Sequence, residues 1–353
     1  MNSLESIGLN DRIKNHITSR NFSPKEVGRI FRHDKTQYIV KTLESQASAE
    51  LTGNLLHSDS QLPVVGDWVK VIDFDGHFII TELLPRYSQL ARRAVSHDGK
   101  AQLIAANIDQ TFIVQSADHN FNLNRLERYI AIAYEGGIEP IVVLNKIDLI
   151  SSDEQTSIEN SIRSRVNKDI MIISVSAVEH KGVDHIETSL KIGTTSCFLG
   201  SSGVGKSTIV NLLLGTDQQL TSEISNTTGK GRHTTTSRQL FVSRSGGLVI
   251  DTPGMRELGV TLSEQGLETS FTSISEIAMN CKFSDCTHQD EPDCAVQEAV
   301  INGDIDVDQL DNYHKLRQES LRFQKTKAEM NKEGKRFGRM YKEAMAHRKS
   351  RKP

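Results

Sequence analysis

The sequence predicts a multidomain chain with a small β-barrel first, an α/β sheet in the middle and a metal-bearing, helical segment last. Three observations predict it. Between Glu26 and Leu84 short β-rich runs alternate with turn signals. From Thr111 onward strands alternate with helices, the rhythm of a parallel sheet with crossover helices. Near the C-terminus, three of the chain's 4 cysteines fall between positions 281 and 294.

The bulk composition sets limits. At 353 residues the chain has room for two or three domains, and 37% hydrophobic with 25% charged residues is the balance of a soluble globular protein. No apolar run reaches the length of a membrane span, and Met1-Asn2-Ser3-Leu4-Glu5 does not open a secretory signal, so the expected location is the cytoplasm, with no membrane partner. In such a reducing compartment grouped cysteines point to metal rather than to disulfides. The formal net charge of −3 hides an asymmetry. Residues 321–353 hold twelve Lys/Arg against three Asp/Glu, a net +9, which leaves −12 on the rest. A basic tail on an acidic body suggests an anionic partner met at one end.

In chain order, residues 1–20 read as a helical or loosely ordered lead. Strands are expected at Val27–Phe31, Gln37–Thr42, Glu50–Leu56, Trp68–Ile72 and Phe78–Thr81. So many short strands in so few residues suit an OB-fold barrel, a fold that commonly binds oligonucleotides. Trp68, just after Gly66-Asp67, is expected in the barrel wall. The polar stretch Arg86–Gly99 reads as a linker. Beyond it come strand Thr111–Val114, helix Leu123–Glu135 stopped by Gly136-Gly137, strand Pro140–Leu144, a helix across 153–166 and strand Ile170–Val175.

The chemistry lies in short motifs. Gly200-Ser201-Ser202-Gly203-Val204-Gly205-Lys206-Ser207 reads G-x-x-x-x-G-K-S, preceded by the apolar run Cys197-Phe198-Leu199 and followed by a helical run from Thr208 to Leu214 that Gly215 closes. That is a phosphate-binding loop. Its glycines let backbone N–H groups converge on phosphate oxygens at a helix N-terminus. Lys206 is expected on the β- and γ-phosphates and Ser207 on Mg²⁺. Asn145-Lys146-Ile147-Asp148, at the end of a strand, is N-K-x-D and suits guanine. The Asp148 carboxylate accepts from N1–H and the 2-amino group, Asn145 faces the N7/O6 edge, and the Lys146 stem covers the ring; adenine would leave Asp148 unpaired. Ser176-Ala177, after the next strand, offers a backbone N–H to O6. The stretch Gly231-Arg232-His233-Thr234-Thr235-Thr236 reads as a switch loop, with Thr234 capping Mg²⁺. Asp251-Thr252-Pro253-Gly254 reads D-x-x-G, with Asp251 for the Mg²⁺ water shell and the Gly254 N–H for the γ-phosphate.

Together these elements resemble the GTPase signature set, in an unusual order. N-K-x-D and S-A precede the phosphate loop, the threonine loop and D-x-x-G, the order of a circularly permuted GTPase. An OB-type barrel before this domain and a zinc segment after it make the chain similar to the small-subunit-dependent ribosome GTPase family, RsgA, over residues 25–320, including Gly66-Asp67-Trp68-Val69 and D-T-P-G-M-R-E. The expected boundaries are 1–92 for lead and barrel, 93–260 for the GTPase and 261–353 for the zinc-binding domain with its basic helical tail.

The resemblance implies late assembly of the small (30S) ribosomal subunit, binding to its 16S rRNA, and GTP hydrolysis to GDP stimulated by that subunit, in a monomer. Met255 stands where many GTPases carry a water-orienting glutamine, so intrinsic hydrolysis is expected to be slow. His233 is the replacement candidate, beside Lys206 and Thr234 in the catalytic set. Cys281-x₄-Cys286-x-His288-x₅-Cys294 is a Cys₃His set for one structural Zn²⁺ with no open position, and Cys197 is expected to be a core residue. The tail, with the barrel, makes RNA the expected partner. The competing readings are a nucleotide-gated RNA-binding scaffold with little turnover and an ATP-driven RNA remodelling enzyme.

Overall fold

The structure, a computed structural model, describes residues 3–34, 37–56, 62–93, 101–215, 238–251 and 262–324. The lead is helical. A 3₁₀ turn at Leu4–Ile7 is followed by α1 (Asp11–Ser19), whose N-terminus is capped by the Asn10 side chain accepting from the Ile13 N–H. Ile13 and Ile17, four apart, bury one face of α1 against the core.

The barrel strands are β1 (Val27–His33), β2 (Tyr38–Thr42), β3 (Gln46–Leu51), β4 (Trp68–Phe74) and β5 (His77–Leu83), with a single turn of helix, α2 (Gly53–Leu56), after β3. Pairing runs β1-β2-β3-β5-β4 and returns to β1, which closes the barrel. The third strand lies earlier than the sequence predicts, ending at Leu51, and the apolar Leu55 and Leu56 belong to α2.

The Gly66-Asp67-Trp68-Val69 motif has a local cause. A Cβ on Gly66, at φ +91°, would lie 2.1 Å from the Ala106 carbonyl oxygen, so only glycine lets the barrel come this close to the next segment. Asp67 accepts both arms of the Arg86 guanidinium, at 2.8 and 2.7 Å. Trp68 is completely buried, a wall residue as its place at a strand start predicts.

Within the stretch read as a linker the chain forms β6 (Gln89–Arg93), which pairs antiparallel with β7 (Ala101–Ala106) just beyond it. In β6 Leu90 is buried beside the exposed Gln89, whereas β7 buries Leu103, Ile104, Ala105 and Ala106 in succession.

The central sheet alternates β8 (Gln110–Ser116), α3 (Leu123–Glu135), β9 (Glu139–Asn145), α4 (Ser152–Arg165), β10 (Ile172–Val175), α5 (Val183–Ser189), β11 (Thr195–Leu199) and α6 (Lys206–Leu214), then β12 (Arg238–Val242) and β13 (Leu248–Asp251). Its order is β10-β9-β8-β11-β13-β12, parallel except for β12. Every residue of β8 is buried, as a central parallel strand requires. Phe112 and Val114 pack on one face with Phe198 and Val210, while Ile113 packs on the other with Leu126 and Ile130. Cys197 is a core residue, as expected, its thiol pushed up to about 12 by burial. Strand β12 is not among the elements that the residue pattern predicts; its first residue closes the threonine-rich stretch. It joins the two sheets, pairing with β13 on one side and with β1 at Arg32↔Gln239 and His33↔Arg238 on the other.

Among the described residues four helices follow: α7 (Glu264–Ser270), α8 (Thr272–Ala278), α9 (Ala295–Asn302) and α10 (Val307–Gln324). They share a buried apolar cluster with α3 and are bonded to α3 and α4 by polar side chains as well. Glu135 of α3 accepts from the Ser263 N–H and hydroxyl at the start of α7, at 2.7 and 2.6 Å. Asn312 donates to Glu127 at 2.6 Å, and Arg165 reaches Asp306 at 2.9 Å. Burial pushes the Glu127 carboxyl up to about 7.

Arg29 fastens barrel to sheet. It is fully buried on β1 and donates to the carbonyls of Gly66, Ile7 and Asn107 and to the Thr195 hydroxyl, at 2.7–3.1 Å. Its guanidinium carbon lies 5.6 Å from the centre of the Trp68 ring. Truncation would strand several buried acceptors at once. Arg29→Ala should therefore cost roughly 3 kcal/mol or more of unfolding free energy. Urea unfolding followed by the fluorescence of Trp68, the chain's 1 tryptophan, reads this directly, and a loss below about 1 kcal/mol would contradict it.

Candidate nucleotide and metal sites

The parallel strands β8, β9, β10, β11 and β13 put their carboxyl ends on one edge of the sheet. The chain runs outward from β8 to β9 and β10, then returns to β11 beside β8 and continues the other way. Strand order thus reverses between β8 and β11, where open α/β sheets leave a ligand crevice.

The phosphate loop leaves β11 at this point. Gly200, at φ +144°, passes so close to β8 that a Cβ would lie 2.4 Å from the Val114 oxygen. Gly205 stands at the N-terminus of α6 with no side-chain cap, so the first N–H groups of the helix are left for an anion. The Lys206 ammonium donates to the carbonyls of Gly200 and Ser201, at 2.7 and 2.6 Å, and so is held inside the loop. Ser207 and Thr208 are exposed on the first turn, and Ser202 and Gly203 on the loop. Val204 is buried and anchors the loop in the core.

Asn145 ties loops together. It is buried, its Nδ2 donates to the Val204 carbonyl at 2.8 Å, and its Oδ1 accepts from the Ala177 N–H at 3.1 Å. One carboxamide thus joins the phosphate loop, N-K-x-D and S-A. Ser176 donates its N–H to the Lys181 carbonyl at 3.0 Å. Lys146 turns the chain off β9 in a left-handed conformation, φ +66°, and Asp148 follows, exposed on a 3₁₀ turn (Ile147–Leu149).

Asp251 ends β13, partly buried, its carboxyl pushed up to about 6 by desolvation. Positions 233, 234 and 254, expected to carry catalytic and phosphate contacts, lie outside the described residues, as does the basic tail beyond 324. The loop after β8 is a part of the site that the motifs do not mark: there Asp118 and Asn120 meet Lys146 and the phosphate loop. Its one signal in the residues is a polar S-A-D-x-N run at a strand's carboxyl end.

A second cluster lies between α8 and α9. One ligand atom each from Cys281, Cys286, His288 and Cys294 fall within 4.8 Å of one another. The Cys281 and Cys294 sulfurs are 3.9 Å apart and stand 3.6 and 3.5 Å from the His288 Nδ1. A tetrahedral zinc with ordinary bond lengths needs edges of about 3.8 Å between sulfurs and about 3.5 Å between sulfur and nitrogen. The donor set fits, and its cysteines are free of disulfides. His288 takes φ +62°, and its carbonyl accepts from Gln297 of α9 at 2.6 Å, which sets the loop's course.

Comparison with known proteins matches this architecture. The family model described as RsgA GTPase matches residues 83–261. The chain belongs to the RsgA GTPase family. It is 44% identical over 305 residues to the small ribosomal subunit biogenesis GTPase RsgA of Methanosarcina acetivorans, covering 86% of this chain and 81% of that one. With RsgA 1 of Bacteroides thetaiotaomicron it shares 39% identity, over 97% of this chain and 96% of the relative. Among solved structures it is similar to YjeQ from Thermotoga maritima, with a TM-score of 0.66 and 28% identity, over 84% of this chain and 98% of that one. YloQ, described as a circularly permuted GTPase, gives a TM-score of 0.64 at 25% identity, over 85% and 96% of the two chains. Among the described residues no helix is long and apolar enough to cross a membrane.

Two outcomes check these sites. The Asp251 carboxyl should titrate near 6 without metal, and Mg·GDP should lower its midpoint, because a cation favours the carboxylate. Carbon-13 NMR of labelled aspartate follows both, and a metal-free midpoint near 4 would show that the group is not desolvated. Purified protein should carry one zinc per chain by atomic emission, and Cys294→Ser should lose it together with helical signal. Full helicity without metal would count against a structural ion.

Proposed function

We propose that the chain hydrolyses GTP and acts in assembly of the small ribosomal subunit, the process for which its relatives are named. The observation that carries this reading is the gathering of G-x-x-x-x-G-K-S, N-K-x-D and Asp251 at one sheet edge, with Asn145 tying the first two together. In this reading Asp148 selects guanine, residues 200–208 hold the phosphates, and Ser207 and Asp251 hold Mg²⁺. Bound there, the metal would neutralise negative charge on the phosphates. Thr234 and the Gly254 N–H meet the γ-phosphate side, and His233 orients water in place of the missing glutamine.

The cysteine cluster binds a structural zinc with no open coordination position. The units are 1–92, 93–260 and 261–353, in a cytoplasmic monomer. The barrel, zinc segment and basic tail hold the 30S subunit through its 16S rRNA, by contacts that weaken with added salt. Supporting a switch function, Asp251 leads through residues 252–261 into α7, so chain next to the γ-phosphate is tethered to the C-terminal helices docked on α3.

GTP turnover titrated with purified small and large subunits tests the reading. Small subunits should stimulate the rate, large subunits and excess ATP should have little effect, and His233→Ala should lose at least about tenfold of the stimulated rate. Turnover indifferent to small subunits, or inhibited equally by ATP, would overturn the proposal. Retention of the full rate by His233→Ala would remove only that residue's role.

A further inference from the structure

The loop that joins β8 to α3 carries polar side chains to which the nucleotide reading gives no role. Asp118 is mostly buried, its side chain 16% exposed, and it is fully occupied. Its Oδ1 accepts from the Ser116 hydroxyl at 2.7 Å and from the Asn120 N–H at 2.9 Å. Its Oδ2 accepts from the Lys146 ammonium at 2.9 Å. Burial alone would raise its pKa, but these donors outweigh burial and hold the carboxyl well below the usual range. Two residues on, the Asn120 carboxamide donates to the Ser201 hydroxyl and the Ser202 carbonyl, both at 3.3 Å. Arg125, in the first turn of α3, fixes Asn120 in turn by donating to its carbonyl and, at 2.8 Å, to its side-chain oxygen.

The loop is therefore a strap between two motifs, fastened at Lys146 by Asp118 and at the phosphate loop by Asn120. We propose that Asp118 is a positioning residue for guanine recognition, acting through Lys146. Lysine loses much rotamer freedom when ordered, and its turn at φ +66° is conformationally costly for a non-glycine residue. An ionised partner at 2.9 Å offsets these costs before any ligand arrives, by fixing the far end of the stem beside N-K-x-D. Such a role rests on the nucleotide reading above, and it makes base affinity depend partly on a carboxylate that belongs to none of the nucleotide motifs.

Equilibrium binding of fluorescent GDP, by polarisation, tests it in a double-mutant cycle. Asp118→Asn keeps the volume and the acceptor for Ser116 and Asn120 but removes the charge. It should weaken GDP about tenfold in the wild-type background and less than about twofold in Lys146→Met, because the lost partner is the same. Asp118→Glu, which keeps the charge, should recover part of the loss. Equal losses in both backgrounds would show that Asp118 merely supports its loop, and no loss in wild type would show that Lys146 needs no anchor; either overturns the inference and leaves the nucleotide reading intact. A wild-type protein that does not bind GDP would overturn that reading and this inference with it.

Discussion

The parallel pairing of β8 with β11, from Gln110↔Ser196 to Ile113↔Leu199, is the contact on which the rest depends. The strands are some 86 residues apart, as the bond between Thr111 and Cys197 illustrates. Between them the chain completes one flank of the sheet, and after β11 it builds the other. Only this pairing sets the N-K-x-D flank beside the phosphate-loop flank. Had β11 added to the outer edge beside β10, Asn145 would have no Val204 carbonyl to meet. A permuted order of motifs is chemically harmless because ligand geometry depends on which strand ends are adjacent, not on the sequence of their synthesis.

From this seam the site is held in three directions. Asn145 joins three loops with one side chain, which keeps the phosphate loop and the base-recognition side at a set spacing. Towards the barrel, Arg29 grips the Thr195 hydroxyl at the start of the same strand that ends in the phosphate loop. Towards the C-terminus, α3 leaves the Asp118–Asn120 strap and carries Glu127 and Glu135, to which the last helices are bonded. Barrel, nucleotide edge and zinc segment thus share rigid parts.

Some of this is legible in the residues alone. Helix α3 runs from Leu123 to Glu135 as its residues predict, because Asn122 caps one end and Gly136-Gly137 stops the other, both local effects. The phosphate loop is legible because its glycines answer to local contacts and its strand and helix flank it directly. The cysteine cluster is legible because three thiols and an imidazole within fourteen residues, in polar surroundings, suit a metal far better than a core. By contrast, β12 follows a polar stretch and β6 falls inside the stretch that reads as a linker, and a short strand in such a context needs its partner to be recognised.

By itself, the sequence determined the kinds of chemistry present and the elements that carry them: a phosphate loop, a guanine-type tetrapeptide, a Cys₃His set and a barrel-forming run of strands. These follow from short-range rules, in which backbone conformation and side-chain chemistry answer to neighbours a few positions away. Only the tertiary structure decided what those groups do to one another. That Asn145 ties the phosphate loop to the S-A loop, that Asp118 holds Lys146, and that Arg29 spans barrel and sheet are facts of long-range pairing. A hydrogen bond between distant residues leaves no periodicity in the chain, so it becomes visible only once packing has brought its partners together.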